Sequence, residues 1–317
     1  MNIGIYGYGN LGRAAELCAI DRSDIHIVSV FTRRSPDKVQ TFGAPIYGRE
    51  RICDFVGKID CMLMCGGSYD DLRNDTPCLA EHFNTVDSFD MHREAAMHRS
   101  LVNAVAASHS HTSIVSVGWD PGLLSIFRLY SKAIFPDGVV NTFWGRGVSQ
   151  GHSEVIRRIS GVKYAVQYTV PIQEAKELAR NGISLGAERR HRRECYVVAE
   201  SGAEESIGAQ IKAIPDYFAG YETDVHFISE EEYLREHTSM PHRGEAISFS
   251  TSGIYKEHVT RASLTLEMDS NPELTASVLL AYAEACVKLH REEKYGAYTP
   301  LDIAPAYLLD SDPISIL

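Results

Sequence analysis

Two patterns of apolar spacing divide the chain. Up to about residue 120, short apolar runs alternate with segments whose apolar positions recur at helical spacing. The runs "NIGIYGYG" (2–9), "IHIVSVF" (25–31), "IDCMLMCGG" (59–67), "NTVDSFD" (84–90) and "SIVSVGWDPG" (113–122) read as strands, and 11–20 and 93–108 as helices. "DTPCLAEHF" (75–83) reads as a further helix, with Asp75 as N-cap and Pro77 in the first turn. Such alternation implies a parallel sheet with right-handed crossovers. After Asp120-Pro121-Gly122 the spacing changes. Segments 163–171, 192–201, 221–229, 245–253 and 261–269 alternate Val, Tyr and Thr with polar residues, the pattern of antiparallel strands with one polar face. "TASVLLAYAEACVKLHREE" (275–293) is strongly amphipathic, the acidic run Glu230-Glu231-Glu232 reads as a solvated helix start, and the tail from Gly296 is apolar enough to dock on the fold. No internal repeat or low-complexity segment interrupts this organisation.

Composition narrows the class of function. A chain of 317 residues suits two domains. Net charge is −11, where a nucleic-acid binder would carry a basic surplus, so a small-molecule ligand is expected and nucleic acid is not. No apolar run approaches the ~20 residues that span a bilayer, and the N-terminus enters a strand directly, so a cytoplasmic protein without membrane contact is expected. Seven cysteines, an odd number without a C-x-x-C pair, read as reduced thiols, with Cys18, Cys61 and Cys65 in the core.

The turn Gly7-Tyr8-Gly9-Asn10-Leu11-Gly12 follows the first strand and opens a helix. In that context G-x-G-x-x-G is a dinucleotide signature. The first glycine makes the turn, the second admits a pyrophosphate, and the third lets helix and strand pack closely. The second strand then ends in Thr32-Arg33-Arg34. A carboxylate there would accept bonds from ribose hydroxyls and repel a phosphate, whereas arginine forks grip one. This pattern indicates NADP rather than NAD. The expected fold class is therefore α/β, an N-terminal Rossmann-type dinucleotide-binding domain (1–120) on which 296–317 packs back. An α+β substrate and dimerisation domain (121–295), built on a mixed or antiparallel sheet, would follow.

Ligands of doubly wound sheets lie beyond the carboxyl ends of the strands. That places Cys65-Gly66-Gly67-Ser68 and Asp87-Ser88-Phe89-Asp90 near the cofactor, with Asp87 and Asp90 among its contacts. Asp90 and Asp120 would face the nicotinamide from neighbouring strand ends, where carboxylates can pair with an amine and carry protons. Trp119 would add an apolar wall. Turn chemistry alone accounts for Asp120 as well, and an N-cap for Asp90.

Nine segments of the chain resemble those of the meso-diaminopimelate dehydrogenases, in the same order. They are "GYGNLGR", "FTRRS", "TVDSFDMHR", "VSVGWDPG", "NTFWGRGVSQGHSEVIRRISGV", "AVQYT", "RRECYVVA", "IPDYFAGYE" and "HTSMPHRG". The resemblance implies NADP-linked oxidative deamination of the D-centre of meso-2,6-diaminopimelate to L-2-amino-6-oxopimelate and ammonia, reversible toward lysine precursors, by a homodimer. It implies that Asp90 and Asp120 lie near the reacting amine and that Trp119, Phe143, Trp144, Gln150 and Gly151 frame that end. Thr169, Arg193, His242 and Asn271 would hold the distal L-centre, within a cleft between domains that closes on substrate. Ser239 and Arg243 stand where the family usually has glycines, and Arg146 where it has proline, which bears on substrate breadth.

Other readings have weaker support. His109 and His111 lack further ligands at metal spacing, so no metal is expected. "RRHRREC" (189–195) is one basic patch on an acidic chain and reads better as a strand start carrying Arg193. A different NADP-dependent dehydrogenase would usually show a catalytic lysine after a later strand, and none stands out. A non-catalytic NADP(H) redox sensor would need no polar constellation beyond the nicotinamide.

Overall fold

A computed structural model describes residues 1–215 and 217–317, the side chains of Tyr69 and Asp70 excepted. Asp216, within the "IPDYFAGYE" resemblance, lies outside the described residues. The chain forms two compact units, 1–126 with 272–317, and 127–271.

The first unit begins with β1 (Asn2–Tyr6), β2 (His26–Thr32), β3 (Ile46–Gly48), β4 (Cys61–Met64), β5 (Thr85–Asp87) and β6 (Thr112–Ile114). The second contains β7 (Val139–Trp144), β8 (Gly147–Val148), β9 (Val162–Pro171), β10 (His191–Ala199), β11 (Thr223–Phe227), β12 (His242–Ser252) and β13 (His258–Met268). The helix Asn271–Arg291 then leads back to β14 (Gly296–Tyr298), which joins the first sheet.

That sheet has the order β14-β6-β5-β4-β1-β2-β3, and every pairing is parallel. Tyr6 pairs with Phe31 and Met64, and Met64 with Asp87, so these strands end on one edge. Apolar side chains on both faces explain why the strands read as continuous hydrophobic runs. One face is covered partly by the helix Asn271–Arg291, whose Leu279, Tyr282, Ala283 and Cys286 pack with Ile3, Ile5 and Leu63. The expected division of domains placed this helix in the second domain. Its apolar stripe instead completes the first core, a long-range contact that periodicity cannot reveal.

In the second unit one sheet runs β11-β10-β9-β8 and another β13-β12-β7. β10 pairs with β9 antiparallel but with β11 parallel, so "YETDVHFIS" is not the antiparallel strand its alternation suggested, and the sheet is mixed. Asp75 is not an N-cap. It lies within the helix Arg73–Leu79, accepts the Tyr6 hydroxyl at 2.8 Å and pairs with Arg49. The acidic run does open a helix, capped by Ser229, whose hydroxyl accepts the Glu232 amide at 3.1 Å.

Candidate active site

The glycine turn gives each glycine a separate cause. Gly7 has φ +93°, a conformation other residues rarely adopt. A Cβ on Gly12 would stand 2.1 Å from the Gly7 carbonyl oxygen, so helix and strand could not approach as they do. Gly9 differs: its backbone (φ −89°, ψ −153°) suits any residue, and a Cβ there meets nothing within 4 Å. No atom of the described residues requires glycine at this position, whereas a phosphate brought against the backbone at a helix N-terminus would. Tyr8 is buried, its hydroxyl bound to the buried Glu16 carboxylate.

At the end of β2, the Thr32 hydroxyl accepts the Arg34 amide at 3.1 Å, and the Arg34 guanidinium donates to the Tyr8 carbonyl. The Arg33 guanidinium is exposed and meets Asp71 through both nitrogens, at 2.7 and 3.2 Å. Asp71 also accepts the Gly67 amide at 3.1 Å, and a Cβ on Gly66 would lie 2.5 Å from its own. The arginine and the glycine loop after β4 are thus tied by one carboxylate. Sequence reading missed Asp71 because 38 residues separate it from Arg33.

Next along the same edge, Cys65 is buried, and burial pushes its thiol up to about 12, so it is a core residue and not a reactive thiol. The Ser68 hydroxyl accepts the amide of exposed Asp90 at 3.1 Å. Trp119 and Gly122 form a β-bridge, and a Cβ on Gly122 would strike the Gly118 carbonyl at 1.7 Å. This tight turn presents Asp120, whose carboxylate accepts the Ser125 hydroxyl at 3.4 Å.

In the second unit Arg193 and Thr169 are cross-strand partners, and the guanidinium donates to the Thr169 hydroxyl at 2.7 Å. Arg193 is 7% exposed, lies over the Tyr221 ring at 4.1 Å, and leaves Nε without a partner. Burial lowers its pKa, and among the described residues no carboxylate pairs with it. Gln167, also buried, donates to the same hydroxyl at 3.4 Å, and its carbonyl oxygen is unpartnered. Gly147 pairs with Thr169, and a Cβ on it would meet the His242 ring at 2.3 Å, which places His242 on the Thr169 face. Burial pushes His242 down to about 4, so the imidazole is neutral at pH 7. The Asn271 amide donates to the Met240 carbonyl at 3.0 Å, tying it to the segment before β12. A buried cation without a counter-charge, bonded to a hydroxyl that a buried amide also meets and with a neutral imidazole on the same sheet face, is complementary to a carboxylate.

Comparison with known proteins agrees with this chemistry. The family model for the diaminopimelic acid dehydrogenase C-terminal domain matches residues 118–270. The meso-diaminopimelate D-dehydrogenase of Acetivibrio thermocellus is 45% identical, over 97% of this chain and 94% of that relative. The chain belongs to the meso-diaminopimelate D-dehydrogenase family. The diaminopimelate dehydrogenase of C. glutamicum, solved in complex with DAP, superposes with a TM-score of 0.94 at 36% identity, covering 100% of this chain and 98% of that one. An engineered D-amino acid dehydrogenase bound to NADP+ gives 0.91 at 36% identity, with the same coverage.

As a member of the meso-diaminopimelate D-dehydrogenase family, the chain still departs from several expectations. Asp87 is fully buried, and its carboxylate is occupied by protein groups, so it cannot be a cofactor contact through its side chain. Phe143, expected to frame substrate, is 1% exposed and packs with Ala175, Ala179 and Ile247. The pleat turns its neighbour Trp144 to the other face. There the ring stacks on buried His191 at 5.2 Å, and its amide donates to His191 Nε2 at 2.9 Å. Burial pushes His191 down to about 3, which keeps that nitrogen an acceptor. Gln150 and Gly151 are exposed at a helix start, and a Cβ on Gly151 would meet only open space. Arg146 pairs with Glu194 at 3.1 Å and covers the Tyr168 ring at 4.3 Å. Both alternate with Arg193 and Thr169, so this arginine lies on the opposite face of the sheet. Arg243 is exposed and pairs with Glu267.

Proposed function

We propose that the protein is an NADP-dependent meso-diaminopimelate D-dehydrogenase, converting the D-centre of meso-2,6-diaminopimelate to L-2-amino-6-oxopimelate and ammonia, and running in reverse as a reductive amination in the lysine route. The observation that carries this reading is the uncompensated guanidinium of Arg193 against Thr169, with neutral His242 on the same face. A substrate with a carboxylate and an ammonium group at each tip supplies the missing anion.

Gly7, Gly9 and Gly12, with Tyr8, Asn10 and Leu11 between them, hold the pyrophosphate. Thr32, Arg33 and Arg34 take the 2′-phosphate, and a charge-assisted bond of that kind contributes roughly 1.5–3 kcal/mol. Gly66, Gly67 and Ser68 border the nicotinamide side. When bound, the cofactor accepts the hydride from the D-carbon. Asp90, which the Ser68 hydroxyl fixes through its amide, takes a proton from the substrate ammonium. Water then adds to the imine carbon, and ammonia departs. Asp120 carries opposite charge to the amine, and Trp119 and Trp144 frame that end. Arg193, Thr169, His242 and Asn271 hold the L-centre, and Gln150 and Gly151 frame the end that carries the reacting amine. Wrong stereochemistry at either end strands buried polar groups, which rejects strongly.

A cytoplasmic homodimer fits the same reading, and the exposed strand β13 supports it as a surface for a second copy. No helix among the described residues is long and apolar enough to cross a membrane. The deciding experiment follows NADPH absorbance after addition of meso-, LL- or DD-diaminopimelate or D-lysine. The meso compound should be oxidised far faster than the others, and no reaction with it overturns the proposal.

A further inference from the structure

Asp87 ends β5, between the loop that carries Asp90 and the loop that carries Asp120. Its carboxylate is fully buried and bonded on both oxygens. Oδ1 accepts the amides of Phe89 at 3.1 Å and Ser116 at 2.8 Å. Oδ2 meets Nε2 of His98, itself buried, at 2.6 Å. The Asp87 carbonyl accepts the Val117 amide at 2.8 Å. The Phe89 ring lies flat on the His98 imidazole, with centroids 4.1 Å apart and planes 12° apart.

The two amides on Oδ1 come from different loops. Phe89 immediately precedes Asp90. Ser116 opens the turn that leads to Trp119 and Asp120, and its φ of +60° is a conformation a non-glycine residue holds at a cost. The bond to Asp87 offsets that cost. One side chain therefore ties both loops to the end of the same strand.

We propose that Asp87, braced by His98, is the positioning residue that fixes Asp90 and Asp120 relative to each other. The inference rests on the proposed function, which sets both carboxylates at the reacting amine. Without Asp87 two buried amides lose their acceptor and each loop is free to shift. A displacement on the order of 1 Å at a reacting centre can cost about 100-fold in rate. Pyrophosphate and 2′-phosphate contacts lie at other strand ends, so cofactor affinity should be spared.

The test compares Asp87→Ala with Asp87→Asn in the full-length protein. Asparagine keeps an acceptor for both amides and supplies an N–H to the imidazole. Turnover of meso-diaminopimelate is counted per titrated NADPH site, which removes any unfolded fraction, and hydrogen exchange is read at the Phe89 and Ser116 amides. The alanine protein should lose about 10- to 100-fold in kcat, keep its NADPH affinity, and exchange both amides faster. The asparagine protein should recover most of the loss. The proposal is overturned if kcat per site is unchanged, if asparagine recovers nothing, or if NADPH affinity falls in step with kcat. If the unaltered protein leaves meso-diaminopimelate untouched, the proposed function falls, and the exchange rates alone decide whether Asp87 anchors both loops. Should the alanine protein fail to fold, His98→Phe decides. It keeps the ring stack and removes one partner, and it should lower kcat with NADPH affinity intact; kcat equal to that of the parent rejects the bracing role.

Discussion

Arg193 donates to Thr169 across the β9–β10 ladder at 2.7 Å while its own Nε goes unmatched. A buried charge without a partner costs stability and awaits an anion. Arg193→Met should therefore retain or raise the thermal midpoint. The same change should lower kcat/KM for meso-diaminopimelate by about 100-fold or more, the usual penalty for losing one side of a buried charged contact. NADPH titration should give an unaltered Kd. A midpoint that drops with activity retained would assign this arginine to the fold.

Gly9 and Gly12 differ in what surrounds them, and their alanine variants should differ as well. Alanine at 12 places a methyl 2.1 Å from the Gly7 carbonyl, so the strand and helix must part. Loss of about 1–3 kcal/mol is expected in urea unfolding, as for other overpacked sites. Alanine at 9 points into open space and should leave the unfolding curve where it was. On the proposed placement of the pyrophosphate against this turn, it should weaken NADPH binding by about tenfold, or roughly 1.4 kcal/mol. Calorimetry on the two variants would show stability and affinity separating.

Much of the first unit was legible because its signals are local. Gly7, Gly9 and Gly12 fall within six residues, and the apolar runs mark β1, β2, β4, β5 and β6. The ends of these runs were less legible: "SIVSVGWDPG" is a strand only to Ile114, and the rest is the turn that presents Asp120. Partnerships made by folding were invisible. Asp71 reaches Arg33, and His98 reaches Asp87, over separations that no spacing rule covers. The resemblance implies that Phe143 and Trp144 both frame the reacting end, and a motif does not tell which of two adjacent strand residues turns into the core. The resemblance supplied Thr169, Arg193 and His242, whereas Gln167, inside the same "AVQYT" segment, carried no implied role, and only its unpartnered carbonyl oxygen marks it.

Three neutral histidines make the second unit sensitive to acid. Burial pushes His242 down to about 4 and both His152 and His191 to about 3. In the unfolded chain each would protonate near 6.5. Between that pH and the folded values the unfolded state binds more protons, so stability falls as pH falls. Each of these histidines contributes at most about 1.4 kcal/mol per pH unit in that window. Urea midpoints should therefore decline steeply from pH 6.5 toward pH 4. His191→Gln should reduce the slope, since it removes one of the three protonations. A slope identical to that of the parent would show that His191 is not held neutral.

Phe143 and Trp144 are adjacent but should fail in different ways. Phe143 is part of a packed core with Ile247 and two alanines of the helix Gln173–Arg180. Truncation to alanine leaves a cavity, and about 3–5 kcal/mol of stability should go with it. Activity per folded molecule should survive, because the ring is buried among apolar side chains. Trp144→Ala keeps the backbone amide bonded to His191 and removes a partly exposed ring. Its unfolding curve should move little, while KM for meso-diaminopimelate rises. Fluorescence adds a direct reading, since the chain has two tryptophans. Substrate should change the emission of the Phe143→Ala protein as it does that of the parent, and the Trp144→Ala protein should keep only the Trp119 share. An unchanged KM in Trp144→Ala would remove this ring from the substrate wall and leave Trp119 as its aromatic member.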